Sequence, residues 1–207
     1  VNGSDTAIVQ FMEEAGFEVI STWAMGNTLE ELTEAGKAHV NLVVSSTGLG
    51  VAKALKELFG TPYVIGTPIG SVYQEQLKQA LHAAADVGEA NHIFSELSAP
   101  EIAVIGESVT SLSLAQAIEL TYQKGVKVLC TTECPNKLLR ANDTLTFDED
   151  DVIEALANIK TVIADPLYRP ICPEHAKFIP LPAESFSGRL YRNEIPNLVS
   201  NFDTFAL

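Results

Sequence analysis

This 207-residue sequence has neither an apolar run long enough to cross a membrane nor a stretch rich in lysine and arginine. A membrane-spanning helix needs about eighteen or more consecutive apolar residues. The first residues, VNGSD, do not have the basic and apolar regions of a signal peptide. The net charge is −14, which repels phosphate backbones. We therefore expect neither nucleic acid nor a membrane as a partner.

Cysteine is also scarce, with three residues in the whole chain. An odd and small number of cysteines excludes a disulfide framework and is typical of a reducing compartment, so we expect the protein in the cytoplasm. Several catalytic motifs are missing as well: no P-loop, no G-x-S-x-G and no H-E-x-x-H is present. The chemistry must therefore be sought in less specific patterns.

Apolar residues make up 46% of the sequence, and the stretch around which the chain is organised is residues 38–70. Residues 40–44 form a short β-branched run, typical of a strand buried on both faces. A glycine-containing turn at residues 45–50 follows, then a helix that Gly60 ends, then the strand Tyr63–Ile65. This order predicts one βαβ unit.

Before this unit, Ser4 or Asp5 is expected to cap a helix, residues 17–20 to form a strand, and Asn27 or Thr28 to cap a second helix. Parallel units normally begin with a strand, and this chain opens on a helix without an initiator methionine. We therefore expect it to be a piece of a longer protein.

A second alternation of strands and helices follows a helix predicted at residues 71–88. Strands are predicted at residues 102–105, 126–130, 161–164 and 178–179, helices at residues 112–124 and after the cap Asp148, and a loop at residues 137–150. Residues 98–100, Ser-Ala-Pro, separate the two alternations. The predicted fold class is α/β, with two tandem Rossmann-like doubly wound units and mainly parallel sheets: residues 1–98 and 99–207.

In open parallel sheets, ligands bind beyond the carboxyl ends of the strands. At two of these ends, the strand leads into a helix, so that backbone N–H groups and hydroxyls are expected together at the helix N-terminus. Such a group of donors suits an anionic ligand. The alternative is a tight strand-to-helix turn that needs glycine. The candidate ligand-binding residues are Ser45, Ser46, Thr47, Gly48 and Gly50 in the first unit and Gly106, Glu107 and Ser108 in the second.

The three cysteines, Cys130, Cys134 and Cys172, follow or end predicted strands. Three thiolates at one edge of a sheet could hold iron or zinc. Their spacing is not C-x-x-C, and no histidine supplies an obvious fourth ligand. Ordinary packing of buried cysteines is the alternative.

Four phrases resemble the nitrogenase component 1 family in order and spacing: GSDTAIVQFMEEAGFEVIS, NTLEELTEAGKAHVNLVVS, KELFGTPYVIGTPIG and FIPLPAESFSGRLY. The family includes nitrogenase subunits, scaffold proteins for their cofactor and nitrogenase-like reductases of tetrapyrroles. Its subunits have three Rossmann-like domains, and this chain resembles the second and third. The resemblance implies an ATP-dependent iron protein as electron donor and a homologous subunit as partner, in a dimer or a dimer of dimers.

Two anchors of the large nitrogenase cofactor are absent. Ser45 stands where the catalytic subunit has a cysteine, and Arg189 to Tyr191 follow Ser187-Gly188 where it has a histidine. The resemblance implies an iron–sulfur cluster in the parent protein, with ligands usually drawn from the domain that this chain does not resemble, so we assign no cluster to this chain. It predicts a component of a nitrogenase-like oxidoreductase that reduces a substrate held between domains. The alternative is a non-catalytic scaffold or carrier for a metal cluster or tetrapyrrole.

Overall fold

The computed structural model describes residues 3–24, 26–89, 91–97, 99–134, 138–205 and 207. The predicted alternation of helices and strands is present. The first part contains α1 (Ser4–Glu14), α2 (Leu29–Thr33), β1 (Asn41–Val43), α3 (Leu49–Phe59), β2 (Tyr63–Ile65), α4 (Ser71–Val87) and β3 (Asn91–His92). The second contains β4 (Ile102–Gly106), α5 (Ser108–Tyr122), β5 (Val126–Cys130), β6 (Thr144–Leu145), α6 (Glu149–Leu156), β7 (Thr161–Ala164), β8 (Lys177–Pro180), α7 (Gly188–Tyr191) and α8 (Leu198–Asn201). No helix in the described ranges is long and apolar enough to cross a membrane.

The strands form two parallel sheets, one with the order β1-β2-β3 and one with the order β6-β5-β4-β7-β8. Counted from β4, the second order is 3-2-1-4-5, which is the order of a Rossmann-like sheet. Side chains of α5 pack on one face of this sheet and those of α6 on the other. The predicted α/β fold class with mainly parallel sheets is confirmed.

Helix α5 is buried on nearly all sides and lies at the centre of the molecule. Leu112 and Ile118 are completely buried, and they belong to one apolar cluster with Val104 of β4, Val64 of β2 and Leu77 of α4. A helix that is apolar all round is typical of a position between two packed layers. The core on this side therefore includes residues from both sheets. The division into domains 1–98 and 99–207 stays a prediction, and Ser98 at its boundary lies outside the described residues.

Several local predictions are confirmed in detail. Thr28 accepts a hydrogen bond from the Glu31 amide and forms a capping box with it. Asp148 caps α6 through the Asp151 amide, and Gly60 ends α3 in the left-handed conformation, with φ of 77°. These signals span at most a few residues, so the local sequence is sufficient to specify them.

Other local predictions are wrong. Gly3, rather than Ser4 or Asp5, occupies the N-cap position of α1, and no side chain caps the helix there. Residues 17–20 do not form a strand. The Phe17 ring instead stacks on the His82 ring of α4, with 4.7 Å between ring centroids. The Phe17 side chain thus packs on a helix instead of within a sheet.

Residues 137–150 were predicted to be a loop, and Lys137 lies outside the described residues. The described part contains the short strand β6 and the start of α6. It also contains a buried ionic network. The Arg140 guanidinium is 2.9 Å from Glu119 of α5 and 2.9 Å from Asp143, and the side chains of all three residues are at most 4% exposed. Arg140 also donates to the Ser95 and Val126 carbonyls, so this segment is fixed to both α5 and β5.

Candidate functional site

The two predicted ligand-binding turns are in direct contact. The backbone N–H of Ser46, after β1, donates a hydrogen bond of 2.8 Å to Oε1 of Glu107, after β4. We call this hydrogen bond the Ser46–Glu107 contact. It joins residues 61 positions apart in the chain. The structure therefore brings together the carboxyl ends of strands from both sheets.

The Glu107 carboxylate also caps α5. Its Oε1 accepts from the Val109 amide at 3.0 Å, and its Oε2 accepts from the Thr110 amide at 2.9 Å. The Ser108 hydroxyl donates to Oε1 at 3.3 Å. A carboxylate at a helix N-terminus satisfies N–H groups that lack intrahelical partners. The negative group predicted at this position is thus supplied by the chain itself. This capping also explains why α5 begins at Ser108 and not at residue 112.

The turn after β1 does not require its glycines, contrary to the expectation from sequence. Gly48 has helical torsion angles, with φ of −77° and ψ of −15°, and an added Cβ would lie 3.6 Å from Val43, an ordinary contact. Gly50 lies inside α3, and a Cβ there would meet nothing within 4 Å. The Ser45 and Thr47 hydroxyls are 3.1 Å apart. This segment enters the helix through a 3₁₀ turn, which any residue can adopt.

Gly106 is more tightly placed than these two glycines. A Cβ at Gly106 would lie 3.0 Å from the Ser111 hydroxyl oxygen, so the β4–α5 connection is close to the first turn of its helix. Among the three predicted site glycines, Gly106 alone has so close a neighbour. Close strand-to-helix packing is therefore the reason for glycine at this position.

A second link between the two sheets was not predicted. The Thr67 amide, after β2, donates to the Ser113 hydroxyl of α5 at 2.8 Å, and the Thr67 hydroxyl donates to the Val44 carbonyl at 3.0 Å. Ser113 in turn donates to the Val109 carbonyl. The sequence signal available was the position of Thr67 at the carboxyl end of β2. Its partner on α5 could not be read from the sequence, because a serine within an apolar helix usually bonds to its own backbone.

The cysteines divide into two groups. Cys134 lies close to Cys130 and also to Glu107 and Ser108. Cys172 donates to the Tyr168 carbonyl at 3.2 Å and packs with the apolar cluster that contains α6. Cys134 packs against the cluster that contains α5. The sheet separates these two clusters, so the structure brings two of the three thiols together and not the third.

The surroundings of Cys134 and Cys172 raise the pKa of both thiols. Burial raises the pKa of Cys134 to about 11, with Cys130 and Glu107 adding to the rise and the Ser108 hydroxyl opposing it. Burial also raises the pKa of Cys172. Within the described ranges, no group of three His, Cys, Asp or Glu side chains is placed to hold a metal ion. The three-cysteine site stays a prediction without geometric support.

Sequence reasoning also missed a buried carboxylate at the end of β7. Asp165 is 2% exposed. It accepts hydrogen bonds from the Leu167 and Ala183 amides, each at 3.0 Å, and from the Ser187 hydroxyl at 2.6 Å. Asp165 thereby fixes the loop that contains Ser187 against the carboxyl edge of the second sheet. Its position directly after a strand was the available signal.

Comparison with known proteins identifies the family. The family model described as nitrogenase component 1 type oxidoreductase matches residues 3–132. No curated protein and no solved structure matches the chain. The matched range covers more than half of the sequence and includes both turns joined by the Ser46–Glu107 contact. The chain belongs to the nitrogenase component 1 type oxidoreductase family.

Proposed function

We propose that this chain is a substrate-holding part of a nitrogenase-like reductase, whose electrons come from an ATP-dependent iron protein. The observation that supports this proposal is the Ser46–Glu107 contact, which fastens the carboxyl ends of strands from both sheets. In parallel α/β proteins, these ends are where ligands bind. Family membership supports the reaction class.

In this proposal the metal cluster is carried outside the chain. The family generally binds metal clusters, but Cys172 packs in a different apolar cluster from Cys134, and the described residues contain no group of three His, Cys, Asp or Glu placed to hold a metal ion. The other part of the enzyme, or a homologous subunit in a dimer or dimer of dimers, then supplies the cluster ligands. The isolated chain is expected to reduce no substrate.

The proposed ligand site comprises the turns at residues 45–50 and 106–108. Because Glu107 already accepts the hydrogen bonds of the Ser46, Val109 and Thr110 amides, an anionic substrate group would have to displace its carboxylate. A neutral hydrogen-bonding group could bind beside it. The site therefore favours a substrate whose reacting part carries no full negative charge.

A first experiment tests where the cluster is bound. The 207-residue chain is purified without oxygen, its iron is measured, and its absorption spectrum is recorded. We expect no iron and no iron–sulfur band. About four iron atoms per chain, the content of one common cluster type, would overturn the proposal and make the cysteines ligands.

A second experiment tests the substrate site in the complete complex with its iron protein. Ser46→Pro removes the backbone N–H that donates to Glu107, together with the Ser46 hydroxyl. Proline suits the first position of a helical turn, and the preceding Ser45 is already extended, with φ of −152° and ψ of 150°. We expect a higher KM with unchanged iron content, whereas Thr33→Ala, an exposed control outside both turns, leaves KM unchanged. A complex that binds a cluster or tetrapyrrole but shows no ATP-dependent reduction would favour the scaffold alternative.

A further inference from the structure

A cleft of about 300 Å³ lies at the carboxyl edge of the second sheet, away from the Ser46–Glu107 contact. Its walls come from three loops, which follow β5, β6 and β7, and from the loop that Asp165 fixes. Ligand sites in proteins have volumes from about 300 Å³ upward and are lined mainly by apolar and aromatic side chains with a few polar groups. The size and position of this cleft are those of a small-molecule site.

The inner wall is held in place by buried contacts. Tyr168 and Phe186 pack edge to face, with ring centroids 5.8 Å apart, and the Tyr168 hydroxyl donates to Thr131 at 3.1 Å. Asp165 holds the backbone on both sides, because it accepts from the amides of Leu167 and Ser187, which are next to these rings in sequence. The aromatic wall is thus formed before any ligand binds.

The outer rim exposes large apolar side chains to water. Phe147 is 84% exposed and Leu167 is 56% exposed, and both line the cleft. The Phe147 backbone is fixed, since its amide donates to the Asp151 carboxylate at 2.9 Å. Exposed aromatic surface beside a concave site favours an apolar ligand frame, and aromatic faces attract cations.

The charged groups of the cleft are of one sign. Asp148 and Glu149 line it at the N-terminus of α6. No lysine, arginine or histidine is among the described residues that line it. The field of the whole chain, with a net charge of −14, has the same sign. A cation is attracted to this cleft and an anion is repelled.

We propose that this cleft binds a small organic cation, namely an ammonium group carried on an aromatic or other apolar frame. The frame packs against Tyr168, Phe186 and Phe147, and the ammonium group lies near Asp148 and Glu149. This site is independent of the proposed reductase function, because it uses neither turn of the Ser46–Glu107 contact.

Three probes with the same ring and similar length separate charge from apolar packing. They are 2-phenylethylammonium, 2-phenylethanol and 3-phenylpropionate, each titrated into the full 207-residue chain and followed by backbone amide NMR. We expect the cation to bind most tightly, with shifts concentrated in residues 146–149 and 167–171. Equal affinity for all three probes, tighter binding of the anion, or no shift in these residues would overturn the proposal.

Substitutions of exposed residues test the charged and the apolar parts of the proposed site separately, without disturbing the fold. Glu149→Gln is expected to weaken the cation about two- to fivefold, the range of an exposed ion pair, and to leave the alcohol unchanged. Glu154→Gln, on the same helix but outside the cleft, is the matched control and is expected to have no effect. Phe147→Ala is expected to weaken the cation and the alcohol together. An effect of Glu154→Gln equal to that of Glu149→Gln would contradict a localised site.

Discussion

The backbone amide of Ser46 donates a 2.8 Å hydrogen bond to the carboxylate of Glu107, which is also the N-cap of α5. One side chain thus satisfies amides at the ends of β1 and β4, in two different sheets. A carboxylate that accepts from charged or polarised donors forms stronger hydrogen bonds than a neutral acceptor. The stability of the central helix and the position of the first turn therefore depend on the same residue.

Glu107→Ala should destabilise the protein by about 1–2 kcal/mol, because the N-terminal amides of α5 lose their acceptor. Ser46→Pro should cost less, since the cap remains and only one hydrogen bond is lost. Urea unfolding followed by circular dichroism measures both changes in the free energy of unfolding. The control is Glu174→Ala, an exposed residue. A loss at Glu107 no larger than at Glu174 would refute the capping role.

Replacing the glycines in and next to α3 by alanine should change the stability of the protein in different directions. Gly50→Ala is expected to stabilise the protein by about 0.5–1 kcal/mol, because the position is helical and exposed and an added Cβ meets nothing. Gly60→Ala should destabilise it by about 1 kcal/mol, since its φ of 77° is unfavourable for a residue with a Cβ. Gly48→Ala should change stability little. Thermal unfolding of the three variants tests the set, and a destabilising Gly50→Ala would contradict the helical assignment.

Arg140→Met should be strongly destabilising, by about 3–5 kcal/mol, because it leaves the Glu119 and Asp143 carboxylates buried without their cation. Chemical denaturation gives the change in the free energy of unfolding. Arg189→Met, at an exposed position, serves as the matched control and should lie within about 0.5 kcal/mol of the wild type. A small effect at Arg140 would show that the network contributes little.

The thiol of Cys134 should react slowly at neutral pH. Its pKa in the folded chain is raised to about 11, from an ordinary value of 9.0, so thiolate forms only in strong alkali. The folded chain then holds this proton where the unfolded chain has lost it. The free energy of unfolding should therefore fall as pH rises from about 9 toward 11.

Iodoacetamide labelling, with each site quantified by mass spectrometry, measures this pKa as the midpoint of the rate against pH. Glu107→Gln should move the midpoint downward, because the neighbouring carboxylate opposes the thiolate. The same chain unfolded in urea provides the reference rate. A midpoint near 9 in the folded protein would contradict the burial of the thiol.

Short-range features of this protein were determined by the sequence alone. The caps at Thr28 and Asp148, the left-handed Gly60 and the buried strands β4 and β5 follow from residues within a few positions of one another. The capping hydrogen bonds and the torsion angles of Gly60 involve residues within one turn of chain, and each strand is recognisable from its own short apolar run. The α/β fold class follows from the same alternation.

Tertiary structure alone decided which side chains meet at the site. Glu107 accepts from Ser46 across 61 positions, Asp165 from Ser187 across 22 positions, and Glu119 from Arg140 across 21 positions. Sequence reasoning located the turns at Ser46 and Glu107 but expected an external anion, because nothing local indicates that a carboxylate of one unit reaches the other. The segment at residues 17–20 was misjudged for the same reason. An apolar run is compatible with pairing to a strand or packing on a helix, and only the path of the whole chain places His82 beside Phe17.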